Sequence, residues 1–139
     1  MIKAFHVNKA PVTTDIALLI GRVGIAAFML THGIPKLMTL FSGAAVQFPA
    51  VFGFSPELSL GLAVFAEVLC SLLLLAGFAT RLAAIPLIIT MLVAVLSIHA
   101  ADPFAKQEPA LQYLLVYLLL LLTGPGKYSV DYLIGGKNK

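Results

Sequence analysis

The stretch from Asp15 to Lys36 (DIALLIGRVGIAAFMLTHGIPK) constrains the fold most, because it is apolar enough to enter a bilayer and yet carries ionisable side chains. In a helix that turns by about 100° per residue, His32 lies about 80° and Lys36 about 40° from Arg22, all on one side. Such a helix, apolar all round except for one line of ionisable groups, is typical of a membrane bundle with that line turned away from lipid. A second face of small residues is expected to pack closely against another helix: Ala17, Gly21 and Gly24.

Composition also indicates a membrane protein. Hydrophobic residues make up 60% of the 139 residues, charged residues 11%, and the mean hydropathy is +1.03, which is far from the composition of a soluble globular domain. The length suits a single domain. The net charge of +3 is interpreted as a topology signal and not as a nucleic-acid footprint, because Lys and Arg gather in the tails and one short loop. Cys70 has no partner cysteine, which excludes an intramolecular disulfide mechanism and favours a small buried side chain.

Four membrane-spanning helices are predicted, over about residues 15–37, 57–77, 82–100 and 109–123. The first is expected to begin at an N-cap near Thr14 and to end or kink at Pro35. Gly77 is expected to stop the second helix and Thr80 to cap the third. The fourth apolar run is only about 21 Å long at 1.5 Å per residue, and Pro109 is expected to open it. The predicted fold is an all-α, four-helix antiparallel bundle.

The basic residues predict the orientation of this bundle. Six of them fall on one side of the predicted spans: Lys3, Lys9, Arg81, Lys127, Lys137 and Lys139. Lys36 and Lys106 fall on the other side. Because Lys and Arg are enriched on the cytoplasmic side of membrane proteins, both termini are predicted to be cytoplasmic, in a multi-pass membrane protein.

Polar side chains are predicted to meet in the outer half of the bundle. With antiparallel spans, His32, His99 and Tyr113 reach the same depth to within about one helical turn. We expect them to line an outward-open ligand pocket together with Glu67, which lies near the midplane. Three charged residues are expected at its mouth: Lys36, Asp102 and Glu108. No metal site is predicted, because two histidines without motif spacing are more often hydrogen-bonded residues of the bundle than haem or metal ligands.

Glu67 is also expected to find a counter-charge, because a charge at the bilayer centre costs roughly 2.5–3.5 kcal/mol on insertion scales. Arg22 lies at a similar depth and has a long side chain. An ion pair between Arg22 and Glu67 that fixes helix packing is therefore predicted. Direct participation of the two residues in chemistry is the alternative.

An uncharged connector of about residues 40–55 joins the first two spans. Its four phenylalanines and Pro49 suit neither a solvated loop nor a membrane span. We expect the connector to lie in the outer membrane interface as an anchor. A gating or ligand-facing role is the alternative.

Three segments of the chain resemble the DoxX family of membrane proteins: HGIPKL, AEVLCSLLLLAGFATRLAA and LLLLLTGPGKYSVD. The resemblance covers about Ala17 to Asp131, and the three segments are specific when they occur together in this order. It implies a single DoxX-like domain with four helices in the inner membrane. The family is named after relatives that are subunits of a thiosulfate:quinone oxidoreductase, and other members are linked to membrane oxidoreductase complexes. Many members have no assigned activity, so the resemblance transfers no catalytic residues.

Three functions fit these observations. The first is a membrane subunit of a quinone-linked oxidoreductase system, with quinone as the ligand of the outer pocket. The second is a small-solute or ion carrier, since ionisable groups inside a bundle also mark transport paths, although no inverted repeat is visible. The third is a non-catalytic partner that recruits or stabilises another enzyme. We favour the first function, and whether the chain is itself an enzyme stays open. The expected partners are the lipid bilayer and either a redox enzyme or a second copy of the chain, with no nucleic acid.

Overall fold

A computed structural model of the chain describes residues 11–135, and these contain five helices and no strand. The helices are α1 (Pro11–Leu40), α2 (Pro56–Ala76), α3 (Thr80–Ile98), α4 (Phe104–Thr123) and the short α5 (Val130–Gly135). Two of them include a stretch of π-helix: Phe65–Cys70 in α2 and Ala94–Ile98 in α3. The basic residues predicted for the tails lie outside the described residues: Lys3, Lys9, Lys137 and Lys139.

The first four helices form an antiparallel bundle. α1 and α2 run in opposite directions, since Lys36 bonds to Glu67 towards one end and Arg22 bonds to Leu74 towards the other. Consecutive helices pack against each other, and α1 also contacts α4, which closes the bundle. The end at which α1 finishes and α2 begins is named the connector end. The opposite end, at which α2 passes into α3, is named the turn end.

Three helices are long and apolar enough to cross a membrane: α1 over Val12–Leu40, α2 and α3. Large apolar side chains on the outside of the bundle are widely exposed, among them Phe28 at 63%, Leu82 at 70% and Leu122 at 75%. Lipid is the solvent that such a surface requires. The chain is therefore an all-helical, multi-pass membrane protein. α4 has 20 residues, but its first turns are polar and it is not among the three apolar spans.

α1 is longer than the sequence predicts. It begins at Pro11, and it continues through Pro35 to Leu40. A proline removes only one backbone donor from the helical ladder, and the hydroxyl of Thr39 donates to the carbonyl of Pro35 at 3.0 Å in the following turn. Pro35 therefore does not end the helix.

α4 also begins before the predicted proline, at Phe104. The side-chain amide of Gln107 donates to the carbonyl oxygens of His99 at 2.9 Å and Asp102 at 3.1 Å. These bonds tie the first turn of α4 to the end of α3, so the helix is already formed when it reaches Pro109.

The close contact between α1 and α2 lies at Gly33. A Cβ atom at this position would lie 2.9 Å from the backbone carbon and oxygen of Glu67, so glycine lets the two backbones touch. The small-residue face predicted on α1 is wrong, because a Cβ at Gly21 or Gly24 would meet nothing within 4 Å.

The turn end is closed by a residue that is distant in sequence. Gly77 ends α2 with a left-handed φ of 70°, as predicted. Ala79 also has a positive φ, 48°, which is unfavourable for a residue with a Cβ. The carboxylate of Asp131 accepts hydrogen bonds from the backbone N–H groups of Ala79 at 2.7 Å and Thr80 at 3.0 Å. Asp131 therefore caps α3, a role that the sequence assigns to Thr80.

Buried hydrophobic side chains form the core between the two ends of the bundle, and the polar Ser71 is also fully buried, next to Cys70 on α2. The members of the core come from all four helices: Ala26, Met29, Ala66, Cys70, Leu74, Ala83, Leu87, Met91, Tyr117 and Leu120. Cys70 is 2% exposed within this cluster, which confirms that it is a small buried side chain.

Replacing Asp131 by alanine is expected to lower the free energy of unfolding by about 0.5–2 kcal/mol, because α3 loses its capping acceptor. Thermal unfolding of the purified protein in detergent measures the effect. Glu57→Ala is the matched control, since Glu57 is an exposed acid in the first turn of α2 and its loss is expected to change stability by less than about 0.5 kcal/mol. Equal melting temperatures for the two variants would show that the cap is unimportant.

Candidate functional site

Glu67 is a buried carboxylate that forms an ion pair with Lys36. It lies in the π-helical part of α2 and is 3% exposed. The ammonium group of Lys36 donates to both carboxylate oxygens, at 2.6 Å and 2.8 Å. The side chain of Lys36 is 33% exposed, so the lysine end of the pair reaches the edge of the bundle. A charge in an apolar helix is stable when it is paired in this way.

The predicted ion pair between Arg22 and Glu67 is wrong. The backbone of Glu67 is level with Gly33, and about 11 residues at 1.5 Å each separate Gly33 from Arg22, or about 16 Å along α1. Side chains of a helix point towards its N-terminus. Lys36 therefore extends towards Glu67, whereas Arg22 extends away from it, towards the turn end.

Arg22 instead binds backbone carbonyl groups at the turn end. It is 1% exposed, and its guanidinium donates to the carbonyl oxygens of Leu74 at 2.8 Å, Leu75 at 2.9 Å and Tyr128 at 2.6 Å. Leu74 and Leu75 are in the last turn of α2, where carbonyl groups lack helical partners and favour a cation. Arg22 therefore has a structural role and lies far from the other predicted site residues.

A cavity of about 170 Å³ at the connector end brings the four predicted ligand residues together. The polar and ionisable side chains in its wall are His32, Lys36, Glu67, His99, Lys106 and Tyr113. The rings of His32 and Tyr113 meet edge to face with their centroids 5.8 Å apart, and Tyr113 stacks on the buried Tyr117 at 6.1 Å. The cavity lies between the turns of α1, α2, α3 and α4 that share this depth. It is named the polar cavity.

His99 and Asp102 form a second pair beside the polar cavity. The Nδ1 atom of His99 lies 2.7 Å from the Oδ2 atom of Asp102. This hydrogen bond lowers the pKa of the Asp102 carboxyl below its usual value, and the nearby Lys106 lowers it further. Because an ionised carboxylate only accepts, Nδ1 of His99 carries the proton. The other ring nitrogen, Nε2, accepts a hydrogen bond in the neutral ring and donates one in the protonated ring.

A larger cavity of about 370 Å³ lies beneath the connector and is named the connector cavity. The connector supplies five residues of its wall: Phe48, Pro49, Val51, Phe52 and Phe54. The ammonium group of Lys36 lies 5.8 Å from the centroid of the Phe48 ring, within the range of a cation–π contact. An interfacial anchor is the expected role of the connector and a gating or ligand-facing role is the alternative; its aromatic side chains line a cavity, as the alternative requires.

The two cavities have part of their walls in common. Lys36, Glu67, Ala94 and His99 line both of them, so the Lys36–Glu67 pair stands at their junction. Glu67 and Ala94 belong to the two π-helical stretches. A π-helical turn widens a helix and is frequent at functional sites, and here both stretches border the same pair of cavities.

Lys36 is the site residue whose role the sequence analysis missed, since it is predicted at the mouth of the pocket and not as the partner of Glu67. The sequence does contain a signal for the pair. The connector places the end of α1 beside the start of α2. Because side chains of a helix tilt towards its N-terminus, the Lys36 side chain then extends from the end of α1 towards the middle of the bundle. Depth along the bundle, taken without the direction of the side chains, predicts Arg22 as the partner of Glu67.

Glu67→Gln is expected to lower the free energy of unfolding by about 1.5–3 kcal/mol, because Lys36 loses a charged acceptor. The loss should be smaller than the roughly 3–5 kcal/mol of a fully buried pair, since Lys36 is 33% exposed. Adding Lys36→Met removes the stranded cation and should restore part of the stability. Unfolding in mixed detergent measures the single and double variants.

Arg22→Gln supplies the control for this double-mutant cycle. Because Arg22 and Glu67 bind separate partners, the losses of Arg22→Gln and Glu67→Gln should add. Recovery of stability in that double variant would mean that Arg22 and Glu67 do interact.

Comparison with known proteins gives a family match. Residues 17–100 match the DoxX family, whereas no curated protein and no solved structure matches the chain. The matched range spans more than half of the 139 residues and contains Arg22, Lys36, Glu67 and His99. The chain belongs to the DoxX family.

Proposed function

We propose that this protein is the membrane subunit of a quinone-linked oxidoreductase system and that the polar cavity binds the quinone headgroup. The observation that carries the proposal is the convergence of His32, His99 and Tyr113 on the Lys36–Glu67 pair in one cavity. The resemblance to a family named after subunits of a quinone-reducing enzyme supports the same function.

The donors around the polar cavity suit the two carbonyl oxygens of a quinone. Carbonyl oxygens accept hydrogen bonds, and the Tyr113 hydroxyl, the Lys36 ammonium and an imidazole N–H of His32 are donors. These side chains come from α1 and α4, on either side of the cavity. A headgroup between them would be held from two helices at once.

Reduction of a quinone to a quinol takes two electrons and two protons, and the cavity has groups that exchange protons. An imidazole takes up a proton at a ring nitrogen and releases it again, so His99 can exchange one of the two protons. The Asp102 carboxylate, 2.7 Å from Nδ1, holds the ring in place. The electrons come from a partner redox enzyme at the membrane, and self-association with a second copy of the chain is the alternative to that partner.

We further propose that α4 is a fourth membrane span and that the connector end faces the outside of the bacterial inner membrane. α4 is about 30 Å long at 1.5 Å per residue, but its apolar part is only about 21 Å long, so the bilayer must thin around it. Arg81 and Lys127 lie at the turn end, whereas Lys36 and Lys106 lie at the connector end. The positive-inside bias towards a cytoplasmic turn end therefore comes from the four lysines of the tails in the sequence. The polar first turn of α4 then lies in the outer interface.

Reporter fusions test this topology. Fusions at Phe48 and Lys106 should report the outer side, and fusions at Ala79 and Lys139 the cytoplasm, because four spans return the chain to the side on which it started. The fusion at Lys106 tests the fourth span, since α4 separates it from the fusion at Lys139. If two fusions that are consecutive along the chain report the same side of the membrane, the helix between them does not span it.

Single replacements of the two histidines test the headgroup site. His32→Ala and His99→Ala are each expected to raise the dissociation constant of a quinone analogue several-fold, since a lost hydrogen bond costs roughly 0.5–1.5 kcal/mol, or up to about 3 kcal/mol where one group is charged. Titration of the protein in lipid nanodiscs gives the dissociation constants. Saturable binding to the wild-type protein is the first requirement.

Gln112→Ala is the matched control, because Gln112 is exposed on α4 next to Tyr113 and bonds only to Glu108 among the described residues. The dissociation constant of the quinone analogue for Gln112→Ala should equal that for the wild-type protein. If the wild-type protein binds no quinone, or if both histidine variants bind as tightly as it does, the headgroup assignment is wrong. Solute uptake by proteoliposomes would then indicate a carrier, and co-purification of an enzyme without uptake a non-catalytic partner.

A further inference from the structure

We infer that the connector cavity holds the apolar tail of the ligand whose headgroup occupies the polar cavity. The ligand class is then a long-chain, membrane-soluble amphiphile with one polar ring, and not a short water-soluble quinone. This inference rests on the proposed function and narrows its ligand.

Continuity between the cavities is the first observation. The Lys36–Glu67 pair and His99 line both cavities, so one molecule can extend from one into the other past these side chains. A molecule in that position has its polar part at the charges and its other part beneath the connector.

The second observation is that the connector cavity offers its occupant few free polar groups away from that junction. Besides Lys36, Glu67 and His99, two polar side chains line it, Ser59 and Thr90. The Ser59 hydroxyl already accepts from the backbone N–H of Val51 at 3.1 Å, and the Thr90 hydroxyl donates to the carbonyl of Pro86 at 2.8 Å. Aliphatic and aromatic side chains form the remaining wall. A polar occupant would lose its hydrogen bonds to water there, whereas a hydrocarbon chain would lose none.

Size is the third observation. Small-molecule sites in proteins are commonly about 300–1,000 Å³ in volume. The polar cavity, at about 170 Å³, is below that range, and the connector cavity, at about 370 Å³, is within it. The polar cavity alone therefore suits a headgroup, and the larger part of the ligand needs the connector cavity.

The connector cavity also reaches the lipid-facing surface. Leu62 on α2 and Ile89 on α3 line it and are 49% and 52% exposed, and Phe52 of the connector is 73% exposed. A chain that is longer than the cavity can continue between these side chains into the bilayer. The site therefore admits a ligand that is dissolved in the membrane.

Two cavity-filling variants test the inference. Ala63→Phe and Val93→Phe each place a ring in the connector cavity and leave the polar cavity untouched, since Ala63 and Val93 line only the former. The probes are dimethoxy-methyl-benzoquinone, which has no chain, and its decyl derivative. Ala27→Phe is the matched control, because Ala27 is exposed on α1 and lines neither cavity. All proteins are titrated in nanodiscs of one lipid, so that partition of the probe into lipid is the same.

The filled variants are expected to bind the decyl derivative at least about tenfold more weakly than the wild-type protein, because several methylene groups lose their buried site. Binding of the chainless ring should change by less than about twofold. The control should bind both probes like the wild-type protein. Thermal unfolding identifies a variant that fails to fold, and the other filled variant then decides the outcome.

Three results would overturn the inference. If the filled variants bind the decyl derivative as tightly as the wild-type protein while His32→Ala still weakens it, the tail lies elsewhere and the headgroup site stands. An equal loss of decyl binding in Ala27→Phe would mean that the loss does not come from the connector cavity. If neither probe binds the wild-type protein, the proposed function fails and the tail assignment fails with it.

Discussion

The three hydrogen bonds from the buried guanidinium of Arg22 to the carbonyls of Leu74, Leu75 and Tyr128 are the interaction on which the bundle depends. A guanidinium has five donors and no acceptor, and a carbonyl oxygen can accept two hydrogen bonds. The carbonyl of Leu74 accepts from Arg22 in addition to the backbone N–H of Gly77 at 3.0 Å. The result is that α1, α2 and the segment after α4 are fixed to one another at the turn end.

Asp131 completes this end with the opposite charge. Its carboxylate caps α3, and its backbone N–H donates to the carbonyl of Gly77 at 2.9 Å. Tyr128 before α5 and Asp131 in the first turn of α5 therefore close the bundle by polar contacts with α1, α2 and α3. Between these groups and the Lys36–Glu67 pair, the core is mainly apolar. The bundle thus has one end held by polar contacts and one end with cavities.

The sequence predicts the helices and the membership of the polar cavity but not the partners of its charges. Apolar runs and breaker residues locate the helices, and depth along antiparallel spans brings His32, Glu67, His99 and Tyr113 together. Pairing depends in addition on side-chain direction and helix rotation, which composition does not specify. For that reason the sequence predicts Arg22 and not Lys36 as the partner of Glu67, and it predicts close packing at Gly21 and Gly24, whereas the contact lies at Gly33. The Asp131 cap is 51 residues from Thr80 along the chain, beyond the reach of any local pattern, and the π-helical stretches have no sequence signal that we recognise.

Gly33 also affects the geometry of the Lys36–Glu67 ion pair, because it lies at the contact between the two helices. The backbones of α1 and α2 touch there, and Lys36 lies about 4.5 Å farther along α1, at 1.5 Å per residue. Gly33 therefore sets the spacing of α1 and α2 one turn before Lys36. A residue with a Cβ at position 33 would push the two helices apart at the level of Glu67, and the Lys36–Glu67 pair, which joins the same two helices, would then lengthen. An uncharged residue at the helix contact thus controls the distance between two charges.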